Sequence, residues 1–425
     1  MGQMKRLGFS ALTLVLFALF LSGCTADTLL TQLETRPLLE GAEATAQEIP
    51  RANRLLILST DGNIVTLNPD GSQRFALTTD ASATKQYLQP TWSPDAQSIA
   101  YAELETTSGT PQSRLTTAAY DGTHQLVADV PFAPFYFFWS PDGNRLAYLS
   151  NWEQLNRPSL ALRMADVAGA AETGQLNVTT LAEGQPFYFS WAPDSQRLMT
   201  HVGNARIELR SLEGGRTAIQ DATGDFPTPQ WSQDGMSLFY AIVDQGVQRL
   251  VATDARGSII QDVTDFDDRI AFSLSPTDAQ LAYVVSDVEV GMAALGPLYV
   301  TDLATLATRE ITLLPVIAFY WSPDGEKLAY VTAEPGRGTL EFHWNVWDGA
   351  ASTDYGAFRP NAGFLSSYAP FFDQYAQSMD IWAPDSNAFA YAGSRDGRTG
   401  IWVQALVEEM PTMVSRGTFV TWSPN

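Results

Sequence analysis

Cysteine is nearly absent from this 425-residue chain: Cys24 stands alone, which excludes an internal disulfide and any metal site built on cysteines. Histidine is almost as scarce, and His124, His201 and His343 lie far apart, at no spacing that would gather them around an ion. Positive charge is short as well, 25 Lys and Arg against 47 Asp and Glu, for a formal net charge of −22. Nucleic acids and anionic lipid surfaces are themselves polyanions, so both are poor partners for such a chain. No Gly-x-Ser-x-Gly occurs, so the nucleophile elbow of the serine hydrolases is missing. The one extended apolar run, Leu7 to Phe20, is too short for an ordinary membrane-spanning helix.

Against these absences stands a repeat. Trp-Ser-Pro-Asp-Gly, or a close variant, opens at Trp92, Trp139, Trp191, Trp231, Leu274, Trp321, Trp382 and Trp422, at intervals of 40 to 61 residues. A period of that length marks an array in which no single unit can bury its own apolar surface. Ser, Pro, Asp and Gly suit the four positions of a type I turn. Apolar runs such as Phe135-Tyr-Phe-Phe precede the turns, and runs such as Leu146-Ala-Tyr-Leu and Leu328-Ala-Tyr-Val follow them, with the aromatic and branched residues of packed strands. A second polar turn further on, as at Asp121-Gly122, gives four short strands per unit, the blade of a β-propeller.

The ends supply the blade count. Residues 54–60, 64–68 and 73–77 read as three strands with no Trp-Ser-Pro turn before them, and residues 417–424 as one strand after the last repeat. Together they make one composite blade that closes the ring and removes its exposed edges. The expected fold is therefore all-β, a single propeller of eight four-stranded antiparallel blades over residues 53–425, or seven if the degenerate unit at Leu274 merges with a neighbour. The Trp-Ser-Pro-Asp-Gly-x-x-Leu-Ala-Tyr pattern resembles the repeat of the TolB-like β-propeller family, whose blade type also occurs in the propellers of prolyl oligopeptidase relatives. The resemblance implies the fold and leaves function open. It is partial even so, because residues 25–52 are too few for the α/β domain that precedes the propeller of TolB.

The N-terminus adds a second resemblance. Met1 to Arg6 is basic, Leu7 to Phe20 apolar, and Leu21-Ser-Gly-Cys24 resembles a bacterial lipobox. On that reading residues 1–23 are a lipoprotein signal peptide, Cys24 is the acylated first residue of the mature chain, and residues 24–52 are a flexible tether to the membrane. The location implied is the cell envelope, on the extracytoplasmic side.

Candidate binding residues come from the loops that lead into each innermost strand. Tyr87, Phe135, Tyr136, Phe187, Tyr188 and Phe226, with Asp268 and Asp380, are candidates for a mouth; most of the aromatics there should pack between blades, and the rest line an apolar opening. The unit opening at Trp321 is the longest, with its surplus at about 344–377. There Phe364, Tyr368, Phe371, Phe372 and Tyr375 recur at spacings near three and four, which predicts an amphipathic helix broken at Pro370. Such a helix either lies over its own blade or presents a lid or docking surface. Two smaller insertions, 105–112 and 169–174, read as idle loops. No cofactor, metal or nucleic acid is expected. The function expected is a lipid-anchored scaffold that binds a protein or peptide. The alternatives are a lyase-like or lactonase-like enzyme drawing on Asp267, Asp268, Arg269 and Asp380, or a non-catalytic subunit of a separate hydrolase.

Overall fold

The structure, a computed structural model, describes residues 51–424 apart from 108, 155–156, 185, 204–205, 222–226, 287–293 and 337–339. Cys24, the signal segment and the tether lie outside the described residues, as does Phe226. Among the described residues no helix is long and apolar enough to cross a membrane. The fold is all-β, and the described residues form five four-stranded antiparallel sheets and one ten-stranded sheet. In most of them a strand ending in the repeat's Trp, here called the lead strand, stands at one edge; examples are Lys85–Trp92, Pro134–Trp139, Pro186–Trp191 and Gln230–Trp231.

The composite sheet has the order Phe75–Ala76, Ile64–Leu67, Leu55–Ser59, Gly417–Trp422, so three strands from near the N-terminus pair with one from the C-terminus. Leu55 lies opposite Trp422 and Ile57 opposite Val420. Past the strand end the pairing continues, with Ser423 N donating to Arg54 O at 2.7 Å and Arg54 N to Ser423 Oγ at 2.9 Å. In the ten-stranded sheet, the strand Thr308–Trp321 serves two groups. Its first half pairs with Gly296–Asp302 and its second, from Val316 on, mainly with Leu328–Pro335. The lead segment at Trp382 is reduced to a single bridge, Trp382 to Phe389.

The turns are built as the repeat predicts. Ser140 Oγ donates to Asp142 Oδ1 at 2.6 Å and accepts from Arg145 N, Asp142 Oδ1 accepts from Asn144 N, and Gly143 takes φ 70°. Gly is the residue that adopts this left-handed backbone without cost. Where the unit carries Ser195, Asp278 or Ser386 there instead, φ is still positive, at 58°, 55° and 59°. These side chains have a use that Gly lacks. Ser195 Oγ accepts from Asp142 N, Asp278 Oδ2 from Gln233 N and Ser386 Oγ from Asp324 N, so each ties its turn to the turn of the preceding unit.

The recurring Trp also acts between units. The indole N–H of Trp191 donates to Phe138 O at 2.9 Å, that of Trp321 to Ser273 O at 3.0 Å, and that of Trp382 to Tyr320 O at 3.0 Å. Each acceptor is the residue just before the repeat position of the preceding lead strand. Leu274 has no indole, and there the carboxamide of Gln230 makes the link, donating to Phe272 O and accepting from Leu274 N, both at 2.8 Å. Between adjacent sheets the apolar faces close on one another, as where Phe137, Trp139 and Tyr148 meet Ala100, Ala102 and Leu115.

The two small insertions are structured. Residues 105–112 extend a hairpin of Ser98–Thr107 with Thr110–Ala119. Val167–Thr173 is a short α-helix, because Asp166 caps its N-terminus by accepting from Gly169 N and Gly174, at φ 72°, ends it. The large insertion is shorter than its sequence span. Leu340–Trp347 and Ser352–Pro360 are ordinary strands, and the departure from the repeat is confined to residues 361–379.

Trp321 and Trp139 are comparably buried, yet only the Trp321 indole has an acceptor among the described residues. Trp321→Phe is therefore expected to destabilise the protein by about 1 kcal/mol more than Trp139→Phe, the net worth of the indole's hydrogen bond to Ser273 O. Denaturant unfolding of the two variants checks it.

Candidate functional site

Residues 361–379 form no single amphipathic helix. Phe364–Tyr368 is a π-turn, Ala369–Phe371 a 3₁₀ turn with Pro370 at its start, and Phe372–Tyr375 one α-turn. Pro370 lacks the N–H that a continuous helix would need, which is where the geometry changes. Asn361 holds the start, accepting from Phe364 N at 2.8 Å while its Nδ2 donates to Thr418 O at 2.6 Å.

The segment does not lie over its own sheet alone. Asp373 Oδ2 accepts from Thr228 N at 2.7 Å, just ahead of the lead strand Gln230–Trp231. Gln374 behaves as a strand partner to Pro186–Trp191: Phe189 N donates to its Oε1 at 3.2 Å and its Nε2 donates to Phe189 O at 2.9 Å. Gln377 Oε1 accepts from Ser190 Oγ on the same strand. Tyr136 Oη donates to Gln374 O, and Tyr375 Oη to Phe135 O at 3.1 Å, on the lead strand Pro134–Trp139. Phe372 packs on Phe319 with ring centroids 4.6 Å apart, and Tyr368 stacks on Phe419 at 5.4 Å. With Tyr375 Oη also donating to Gln89 on Lys85–Trp92, the insertion meets lead strands, or the residues leading into them, from five units besides its own, and it fills the space they surround.

This geometry locates the residues picked out in the sequence. Phe135, Tyr136 and Tyr188 border the insertion, with Tyr188 6.5 Å from Phe371 and Tyr136 5.1 Å from Tyr375. Tyr136, Phe372 and Tyr375 are buried, so protein already occupies the surfaces that a mouth or docking helix would offer. Phe371, Tyr368 and Phe364 are half-buried. Tyr87 stands elsewhere, buried between the composite sheet and the next, edge-on to Tyr101 and donating to Asp80 Oδ1 at 2.5 Å. The Phe187 side chain and Phe226 lie outside the described residues. Asp268 is half-buried at the turn before Arg269–Leu274, where its carbonyl accepts from Gln248. No hydrogen bond or ion pair among the described residues joins Asp267, Asp268 or Arg269 to Asp380. The fixing residues Asn361, Asp373, Gln374 and Gln377 escape a sequence reading, because polar residues among aromatics look like the wet side of a helix.

Asp380 follows the insertion. Its carbonyl accepts from Trp422 N at 2.6 Å and Thr421 Oγ1 at 2.9 Å. Its side chain is accessible, but protein surrounds it and no donor or cation among the described residues contacts the carboxylate, so burial raises the carboxyl to about 6. His201 is buried with Nδ1 3.2 Å from Pro227 O, and burial lowers it to about 4, so it is neutral at pH 7. Among the described residues no group of three or more His, Cys, Asp or Glu is arranged to hold a metal ion.

No protein-family model matches the chain, and no curated protein does. Solved structures match it in shape. Dihydro-heme d1 dehydrogenase NirN, in complex with DHE, aligns with a TM-score of 0.55 at 12% identity, over 92% of this chain and 78% of that one. A prolyl endopeptidase aligns with a TM-score of 0.51 at 12% identity, over 80% of this chain and 51% of that one. TolB from Acinetobacter baumannii is 15% identical over 76% of this chain and 82% of its own, with a TM-score of 0.39. At such identities the likeness shows the fold alone.

Because the folded-state value of Asp380 is raised, its contribution to stability is present below the unfolded value, near 4, and is lost as pH rises through about 6. Asp380→Asn is expected to match the parent protein at pH 4 and to be more stable above pH 6, the gap opening between the two. Urea unfolding at stepped pH measures it, and the same gap at every pH would exclude a raised carboxyl.

Proposed function

We propose that this chain is a lipid-anchored, extracytoplasmic propeller of eight blades, closed by its composite sheet, that binds a protein or peptide partner as a scaffold of the cell envelope and carries no chemistry of its own. One observation bears most of the weight: the axial space between the lead strands is occupied by residues 361–379, fixed there by Asp373, Gln374 and Tyr375. A substrate bound on the axis would have to displace that segment. Seven repeat positions, each paired or bridged to the strand after its turn, and Trp422, paired to Leu55, support the blade count. The pairing of Leu55–Ser59 with Gly417–Trp422 supports closure. The Leu-Ser-Gly-Cys24 motif supports the anchor. A net charge of −22 leaves the acyl chains, rather than surface charge, to hold the protein at a membrane.

The partner is proposed to dock on the outer side of the axial segment, where Leu365 is an exposed apolar side chain among Asn, Gly and Ser. Expressed in a bacterial host with an alkyne fatty acid, the protein is expected to carry the label and sediment with membranes, and Cys24→Ser to lose both. Crosslinking in that membrane is expected to capture one protein, lost with Leu365→Asp, a change at a site too exposed to disturb the fold. A labelled or sedimenting Cys24→Ser variant would overturn the anchor; equal capture by the parent and Leu365→Asp would overturn the docking face.

A further inference from the structure

Cations are scarce in this chain, and where they form ion pairs, carboxylates match or outnumber them: Arg249 holds Asp244 and Asp262, and Lys85 with Arg114 holds four carboxylates. Glu208 is the exception among the described residues. Three guanidiniums, those of Arg206, Arg210 and Arg216, converge on its one carboxylate, at 2.5, 2.6 and 3.7 Å. The strands set this arrangement. Arg206, Glu208 and Arg210 alternate along the strand Arg206–Ser211 and so share a face, and Arg216, on the outermost strand Arg216–Asp221, lies opposite Arg210. The three are not equivalent. Arg210 turns towards the neighbouring sheet, with Nη2 donating to Glu208 Oε2 and Nη1 to Leu181 O at 2.9 Å. Arg206, through Nε, and Arg216 both reach the other oxygen, Oε1; their side chains are 37% and 60% exposed, while that of Glu208 is 1% exposed. The Nη groups of Arg206 and the guanidinium of Arg216 donate to no other group among the described residues. Glu208 neutralises one positive charge of three, and the two left over repel one another. Burial, with the charges of Arg216 and Arg206 added to it, holds the Arg210 guanidinium below its usual value.

We propose that Arg206 and Arg216 bind a small doubly charged oxyanion, a phosphate or a phosphate monoester in class, on the solvent side of Glu208. Charge sets the class: two uncompensated positive charges match a dianion, whereas a carboxylate would leave one over. Geometry agrees, because the outward N–H groups of a guanidinium suit oxyanions whose oxygens accept in pairs. The rest of the chain sets the size. At a net charge of −22 every further negative charge on a ligand adds repulsion, which disfavours a nucleic acid or an anionic membrane and leaves a small ion. Glu208 is a positioning residue: by accepting from Arg206 Nε it holds that guanidinium with its Nη groups free for the ligand.

Calorimetric titration of the full chain with inorganic phosphate, methyl phosphate and acetate tests the site, at constant ionic strength and at pH 8, where both phosphates are dianions. Phosphate is expected to bind about tenfold more tightly than acetate. Methyl phosphate binding as tightly as phosphate would show that the site admits a monoester, and binding about tenfold weaker would confine it to the free ion; the site stands in both cases. Arg216→Gln, at an exposed position with no hydrogen bond to lose, is expected to weaken phosphate about tenfold. In buffer without oxyanions that variant should match or exceed the Tm of the parent, since it removes an uncompensated charge; were Arg216 present only to neutralise Glu208, the same change would lower the Tm. Millimolar phosphate should raise the Tm of the parent and not that of Arg216→Gln. Equal affinities for phosphate and acetate, no binding of phosphate, an Arg216→Gln variant that binds phosphate as the parent does, or a lowered Tm of that variant without oxyanions would each overturn the site. None of these results bears on Leu365-dependent capture, so the two proposals fail independently.

Discussion

A sheet of four strands is paired on one side only of its lead strand, and it is apolar on both faces. The fold depends on answering these two demands together. Face-to-face packing of neighbouring sheets meets the second, as where Phe239, Leu250 and Phe272 close with Leu281 and Tyr283. Packing alone sets no register between sheets, since apolar contact is not directional. Register comes from a few polar links that cross from one unit to the next: the indoles of Trp191, Trp321 and Trp382, the amide of Gln230 where Leu274 breaks the series, and the paired turns at Ser195, Asp278 and Ser386. Each is one hydrogen bond, worth about 1 kcal/mol net. They matter because each holds one lead strand at a fixed height against the next.

Holding the lead strands in this way leaves their inner edges facing a common space. Unpaired backbone groups shut away from water would be costly there, and open edges invite another chain. Residues 361–379 answer both problems. Gln374 supplies Phe189 with the donor and acceptor that a neighbouring strand would have supplied, Asp373 takes the N–H of Thr228, and Phe372 and Tyr375 fill the volume between. The insertion is a structural element of the whole array, although it belongs in sequence to one unit. That is the basis for placing partner recognition on its outer side, and not on an open axial funnel.

Much of the architecture was legible in the sequence because it is local or periodic. Ser140-Pro-Asp-Gly specifies its own turn, the apolar runs around it specify strands, and the mismatch between residues 54–77 and 417–422 foretold a sheet shared between the two ends of the fold. The role of the Trp was not legible, because its N–H finds a carbonyl 48 to 62 residues earlier and no local pattern encodes that distance. The aromatic spacing at 364–375 identified a segment with something to bury, but periodicity shows that a face is apolar and not what it faces. Asp373 and Gln374 were hidden for a related reason: their partners are backbone groups of Thr228 and Phe189, which leave no mark on the sequence. Tyr87 was misleading because its place before a lead strand matched that of Tyr136, while its hydroxyl is held by Asp80 outside the axial space.

The central claim is that residues 361–379 act as the missing strand partner of the inner edges. Hydrogen–deuterium exchange resolved to single amides tests it most directly, at Phe189 and Thr228. Their N–H groups are bonded to side chains of the insertion and not to any strand, so the account predicts protection comparable to that of amides inside the Pro186–Trp191 sheet. Exchange at the rate of an exposed loop would contradict it, since the inner edges would then be open to water and the insertion would not be bonded to them.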